Sequence, residues 1–288
     1  MNPESRDVSA TLAALLVYPV KSCAGMAVQE AMLLDTGLDL DRAWMVVDAQ
    51  GEFVSQRELP RMALIRPTLR ISDLVLRAPG MLALHLALDE VEKPAQVRVW
   101  DDEVSAWDMG DLAAQWFSDF LGQPLRLVRF DPDVRRLSSL KWTGGVEAPN
   151  QFSDGFPLLI ASQASLDGLN QRLLAGGHAA VEMARFRPNL VLAGLEAHDE
   201  DRLDAIWIET GGEPVQLRPV KPCARCPIPN VDPATAEVNP VVSDTLQAYR
   251  QDPLLGGAVT FGMNAIMIQG DGALLRVGQR VSADFRFD

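Results

Sequence analysis

Residues Val215-Gln216-Leu217-Arg218-Pro219-Val220 alternate apolar with polar side chains and then run into Lys221-Pro222-Cys223-Ala224-Arg225-Cys226-Pro227-Ile228-Pro229-Asn230-Val231-Asp232-Pro233. Alternation of period two reads as a strand with one buried face. Four prolines in the last twelve of these residues exclude a helix after Cys223 and stiffen a loop. Outward from this stretch the strand signal repeats about every ten residues. On the N-terminal side lie Leu12 to Val17, Trp44 to Asp48, Leu74 to Leu76, Leu82 to Leu88, Gln96 to Trp100 and Leu125 to Phe130, then Leu158 to Ala161, Leu190 to Ala193 and Ala205 to Ile208. On the C-terminal side lie Ala265 to Ile268 and Leu274 to Val277. Turn residues separate most of these runs, so the predicted fold is mainly β with a few helices (α+β), built as barrels or packed sheets.

Three segments break that rhythm. From Asp111 to Leu121, Leu112, Trp116 and Phe120 recur every four residues, with Asp111 placed to cap and Gly122 to terminate. Ser165, Leu166, Leu169 and Leu173, ahead of Gly176 and Gly177, predict a second helix, and Ser243, Leu246 and Tyr249 a third. The stretch 131–155, with Pro132, Pro149 and the Gly144-Gly145 pair, has no periodicity and reads as a connection. The expected organisation is a β-rich domain over 8–130, the connection over 131–155 and a second β domain over 156–288.

With 288 residues and 48% apolar content, the chain has material for a sizeable core, which excludes disorder and small disulfide-stapled scaffolds. Three cysteines cannot all pair within one chain, so a reducing, cytoplasmic setting is the expectation. The residues before Asp7 and the nine-residue apolar run ending at Val20 resemble neither a signal peptide nor a membrane span. A net charge of −13 repels nucleic acid and anionic lipid, and neither is an expected partner. Of the 26 cationic residues only Lys21, Lys93, Lys141 and Lys221 are lysine. Guanidinium forks match phosphate oxygens, although a genomic preference for arginine explains the bias equally well.

Tyr18-Pro19-Val20-Lys21-Ser22-Cys23-Ala24 reads against Arg218-Pro219-Val220-Lys221-Pro222-Cys223-Ala224, five identical positions in seven, each where a strand run ends. The repeat suggests two β halves facing one site. The Cys223-x-x-Cys226 pair has three familiar uses. A dithiol redox motif needs a helix running on from the first Cys, and Pro227, Pro229 and Pro233 forbid it. Structural zinc needs two further ligands, from Cys23 and one of His85, His178 or His198. The third use is a single thiolate on a rigid loop beside Arg225, as nucleophile or metal ligand.

At these residues the chain resembles the MOSC proteins, especially the branch holding the mitochondrial amidoxime-reducing component and its bacterial relatives. The resemblance runs from Tyr18-Pro19-Val20-Lys21-Ser22-Cys23 to Val277-Gly278-Gln279-Arg280-Val281. It includes Asp41-Arg42-Ala43-Trp44, Ser55-Gln56-Arg57-Glu58-Leu59-Pro60-Arg61, Phe152-Ser153-Asp154-Gly155-Phe156-Pro157, Ser162-Gln163-Ala164-Ser165-Leu166, Phe186-Arg187-Pro188-Asn189, and Cys223-Ala224-Arg225-Cys226 with Val231-Asp232-Pro233.

The resemblance implies a MOSC β-barrel behind an N-terminal MOSC-N domain, and a molybdenum cofactor (Mo-molybdopterin) whose metal takes one protein thiolate, here Cys226. That Cys would be the catalytic and metal-binding residue, with Cys223 a packing residue. Lys21, Ser22, Arg42, Arg57, Ser162, Arg187, Asn189 and Arg225 are the implied cofactor-binding residues. For Ser162, simple N-capping of a helix is an equal account. The implied activity is reduction of N-hydroxylated compounds to amines; a cofactor or sulfur carrier without turnover is the alternative. A pyridoxal phosphate label also attaches to the family at large.

Departures are Ala224 where Ser is frequent, Leu203 where relatives carry Trp, and Ala236 where they carry Gly. Neither an appended iron–sulfur domain nor a mitochondrial anchor is expected, and electrons are expected from a separate protein: a flavin reductase, a ferredoxin-like protein or a b-type cytochrome.

Overall fold

The computed structural model describes residues 6–286. The reading of the N-terminus as free of a leader rests on residues that include 1–5, outside the described part. In the N-terminal lobe Trp44–Val47, Arg126–Phe130, Asp102–Asp108 and Lys93–Val99 lie side by side, all antiparallel. Both faces are covered, which is why Trp44 and Val46 belong to one apolar cluster and Met45 and Val47 to another. The Asp102–Asp108 strand is missing from the predicted runs because its inward positions, Val104, Ala106 and Asp108, carry little apolar signal.

Helix α1 (Asp111–Leu121) covers one face of this sheet with Ala113, Trp116, Phe117 and Phe120, spaced i, i+3, i+4, i+7. Leu112 is 74% exposed, so the expected stripe is turned by one position. A strict repeat of four drifts off a face with 3.6 residues per turn, and the small Ala113 takes the inward place. The cap is also corrected: Gly110, at φ +91°, precedes the helix, and Asp111 lies in its first turn. Gly122 closes it in the left-handed conformation, as expected.

The connection 131–155 is structured. Arg136–Leu137 pairs with Pro149–Asn150 around the short helix α2 (Leu140–Thr143). Buried Arg136 ties it together, donating from Nε to Asp102 (2.8 Å) and from Nη1 to Asn150 Oδ1 (2.6 Å) and the carbonyls of Gln151 (2.9 Å) and Ser153 (2.7 Å). Residues 151–155 are thereby held in a fixed place.

Six predicted runs and Arg280–Phe285 close into a seven-stranded barrel. Its order is Leu158–Ser162, Leu190–Ala193, Val8–Val17, Arg280–Phe285, Leu203–Ile208, Val215–Ala224 and Ala258–Gln269, which pairs back onto Leu158–Ser162. The first two strands are parallel and are joined through helix α3 (Gln163–Ala175), the kind of crossover a parallel pair requires. Strand pairing cuts across the expected boundary, because Val8–Val17 is a barrel strand and Glu30–Leu34 pairs with Ala273–Arg276. Leu12, Leu15, Ile160, Leu190 and Leu217, each at 0% exposure, fill the barrel; burial of one such side chain contributes about 1.5–3 kcal/mol. Helices α3 and α4 (Val241–Gln247) pack outside through Leu166, Leu169, Leu173, Val242 and Leu246, against Phe186 and Phe261.

The Val215–Ala224 strand is irregular where its sequence contains proline. Its register slips between Pro219 and Lys221 and between Pro222 and Ala224. A residue without an N–H cannot continue a ladder, and each slip bends the strand end. On the neighbouring strand Gly262 sits at φ +76°, where a Cβ would come 2.6 Å from the Ile160 carbonyl oxygen. Only glycine lets these backbones cross there.

Candidate functional site

The bent strand end opens into a cleft between the lobes. The barrel supplies Arg187, Asn189, Cys223, Arg225 and Cys226; the N-terminal lobe and its approach supply Lys21, Ser22, Arg42, Phe53 and Arg57. Eight of the nine residues expected at one site are thus brought together across up to 205 positions of sequence, from Lys21 to Cys226.

Three of them, Ser22, Arg42 and Arg187, hold left-handed backbone at φ +64°, +51° and +58°. Such a conformation costs a non-glycine residue about 1–3 kcal/mol and persists only where its surroundings impose it. Buried contacts impose it here. The Ser22 carbonyl accepts from Gln56 Nε2 (2.7 Å), the Arg42 N–H donates to Tyr18 O (2.8 Å), and Arg187 Nη1 donates to Cys23 O (2.6 Å). The guanidinium carbons of Arg42 and Arg187 both lie 4.3 Å from the Tyr18 ring centroid. Gly25 is required beneath that ring, since a Cβ would stand 2.3 Å from it.

The cleft concentrates positive charge in an acidic protein. Lys21, 5% exposed, donates to the Phe152 carbonyl (2.8 Å) and pairs with Asp154; Arg42 pairs with Asp41. Arg187 and Arg225 have no carboxylate partner among the described residues. Burial pushes the Arg187 guanidinium down to about 10, and the neighbouring Arg42 charge adds to the shift. Burial also lowers Lys21, against the attraction of Asp154. Arg225 donates to the Phe186 carbonyl (2.9 Å) and to Cys223 Sγ (3.0 Å), while its buried Nε has no partner. Desolvated cations with unspent donors are a receptor for an anion.

The three thiols divide by position. Cys226 and Cys223 are half-buried and line the cleft, which removes Cys223 from the packing role expected of it. Cys23 is the packing thiol, 0% exposed, and burial pushes it up to about 12. The zinc reading loses its ligand set, since no group of three or more His, Cys, Asp or Glu suited to a metal occurs among the described residues.

Ser162 is the residue the fold does not deliver. It is fully buried at the start of α3, where its Oγ accepts from Ser165 N–H (3.1 Å) and its own N–H donates to buried Glu200 (3.2 Å). Capping is its role, and a carboxylate behind the helix start leaves no room for an anion. Asn189 reaches the cleft wall, but its amide is spent on backbone, accepting from Leu159 N–H (3.1 Å) and donating to Leu16 O (3.2 Å). His198 packs against Tyr249 and Phe261, and burial lowers it to about 4, so its ring is neutral at physiological pH. Sequence reasoning missed Tyr18, Phe53 and Asp154 as parts of the site. Tyr18 and Asp154 stand inside quoted motifs, but nothing in a sequence says which motif residues face a cleft.

Comparison with known proteins agrees with this layout. The MOSC N-terminal beta barrel domain matches residues 9–124 and the MOSC domain residues 147–282. Mitochondrial amidoxime-reducing component 1 of Mus musculus is 36% identical over 255 residues, 83% of this chain and 71% of the relative. Its Homo sapiens counterpart is 36% identical over 274 residues, 89% of this chain and 78% of that protein. Molybdenum cofactor sulfurase of Homo sapiens is 29% identical over 287 residues, 93% of this chain but 31% of the sulfurase. With both domains in order and relatives of this identity along most of its length, the chain belongs to the MOSC family.

Proposed function

We propose that the protein is a molybdenum-cofactor-dependent oxidoreductase that reduces N-hydroxylated compounds (hydroxylamines, amidoximes and N-hydroxy bases) to the corresponding amines or amidines. The observation that carries this reading is the coincidence, in one cleft, of a half-buried thiol on a proline-stiffened loop with half-buried guanidiniums, Arg187 and Arg225, that lack carboxylate partners among the described residues. The donor set fits the group. Thiolate suits a soft, oxophilic metal, and the surplus guanidiniums suit the phosphate and anionic sulfurs of a pterin dithiolene. Cys226 would ligate the metal; Lys21, Arg42, Arg187 and Arg225 would hold the anionic carrier; the Ser22 backbone would approach it closely. When bound, the cofactor supplies two-electron removal of oxygen from an N–OH group.

The chain's own contribution is placement and charge. Left-handed backbone at Ser22, Arg42 and Arg187 presents these residues without conformational search. Arg225, held by the Phe186 carbonyl, keeps a positive charge beside the cysteine loop. Arg57, against Phe53 and over Trp100, lies on the N-terminal-lobe side where substrate enters. Electrons come from a separate flavin reductase, ferredoxin-like protein or b-type cytochrome.

The test uses protein expressed in a host that makes the cofactor. Molybdenum per chain near one, with NADH-coupled reduction of an N-hydroxy substrate in the presence of a flavin reductase, is expected for the wild type, and loss of both for Cys226→Ser. Full activity in that variant removes the role given to Cys226. Tight, exchangeable cofactor with no turnover on any donor would select the carrier reading, which the likeness to the sulfurase favours.

A further inference from the structure

The hairpin that joins Lys93–Val99 to Asp102–Asp108 turns through Trp100 and Asp101, and Trp100 adopts φ +57°. Two-residue hairpin turns with positive φ favour glycine, asparagine or aspartate, and a bulky residue there is an outlier. Burial accounts for only part of the choice, since the residue stays 43% exposed. Its surroundings point to the cleft. The Arg57 guanidinium lies 4.6 Å from the Trp100 ring centroid, Phe53 meets it edge-on at 5.0 Å and 66°, and Trp100 Nε1 donates to Asp154 Oδ1 (3.3 Å). Phe53, Arg57 and Asp154 all line the cleft. The indole is therefore fixed on the rim, one side packed and the remainder open.

We propose that Trp100 is a specificity-determining residue: its open ring surface stacks on the planar, π-conjugated body of an N-hydroxylated substrate, so that aryl amidoximes and N-hydroxylated heteroaromatic bases are preferred over aliphatic ones. Phe53 and Arg57 brace the ring, and Asp154 fixes its rotation. An aromatic wall is tolerant of which ring it meets, because every planar substrate has a π face. This rests on the reductase reading.

The experiment compares cofactor-loaded wild type with Trp100→Gly and Trp100→Phe on benzamidoxime and acetamidoxime. Glycine suits the positive φ, so Trp100→Gly is expected to unfold in urea no earlier than wild type. Its preference for benzamidoxime is expected to fall about tenfold, the scale of one aromatic stacking contact, through KM rather than kcat. Trp100→Phe should retain part of the preference. Calorimetric titration with benzamidine and acetamidine should show the same relative loss. Equal losses on both substrates, or an unchanged preference, overturn the proposal. If the wild type reduces neither substrate, the reductase reading fails on its own, and the titrations still decide whether Trp100 holds planar ligands.

Discussion

Two copies of nearly the same heptapeptide, 18–24 and 218–224, meet at the cleft and contribute opposite residues. From the first copy the lysine enters: Lys21 is buried in the cleft wall, while Cys23 turns away into the core of the N-terminal lobe. From the second the cysteine enters: Cys223 lines the cleft, while Lys221 lies outside it, 5.2 Å from the Trp142 ring centroid. One substitution between the copies explains the difference. Ser22 takes φ +64° and reverses the chain, whereas Pro222 is locked near φ −65° and keeps its copy extended, in strand through Ala224. Residue type does not fix a residue's destination; the backbone path at one position does.

Making the copies alike at that position is the most damaging change. Ser22→Pro is expected to cost about 3 kcal/mol or more, because the ring forbids positive φ, and chemical unfolding would measure it. An unchanged midpoint would contradict the left-handed turn. Next in size, Lys21→Met should reduce cofactor retention by roughly 10- to 100-fold, read as molybdenum per chain after dialysis. Retention equal to wild type would break the division of labour between the two lysines.

The cysteines separate by pH. Burial raises folded Cys23 from 9.0 to about 12, so the unfolded thiol ionises first and stability conferred by Cys23 is intact below pH 9. Between those values it declines by up to about 1.4 kcal/mol per pH unit, and Cys23→Ala should flatten that decline in urea midpoints taken across the window. Consistent with this, iodoacetamide should label Cys223 and Cys226 in the native protein and Cys23 only after denaturation. The smallest effect is that of Lys221→Met: loss of the cation–π contacts to Trp142 and Phe156, about 0.5–1 kcal/mol, with molybdenum content as in wild type.

Legibility in the sequence followed the strength of each local signal. Alternating runs such as Leu12 to Val17 and Val215 to Val220 became barrel strands because period two and a buried face are one fact seen twice. The Asp102–Asp108 strand escaped notice, its inward face being Val, Ala and Asp. Among site residues, Cys226, Lys21, Arg42 and Arg187 were marked by motif and proved to share a cleft, while Ser162 was marked by the same means and proved to be a cap. An N-cap serine and an anion-binding serine carry the same local pattern; only the buried Glu200 behind the helix start tells them apart.

From the sequence alone came the β-rich class, the helix positions, the reactive cysteine loop and the family resemblance, all properties of residues near one another in the chain. Tertiary structure decided which cysteine faces the cleft, which cations lack counter-charges, and that the first strand belongs to the C-terminal barrel. These depend on burial and on pairing between distant segments, and the free energies that select them arise only when those segments exclude water together.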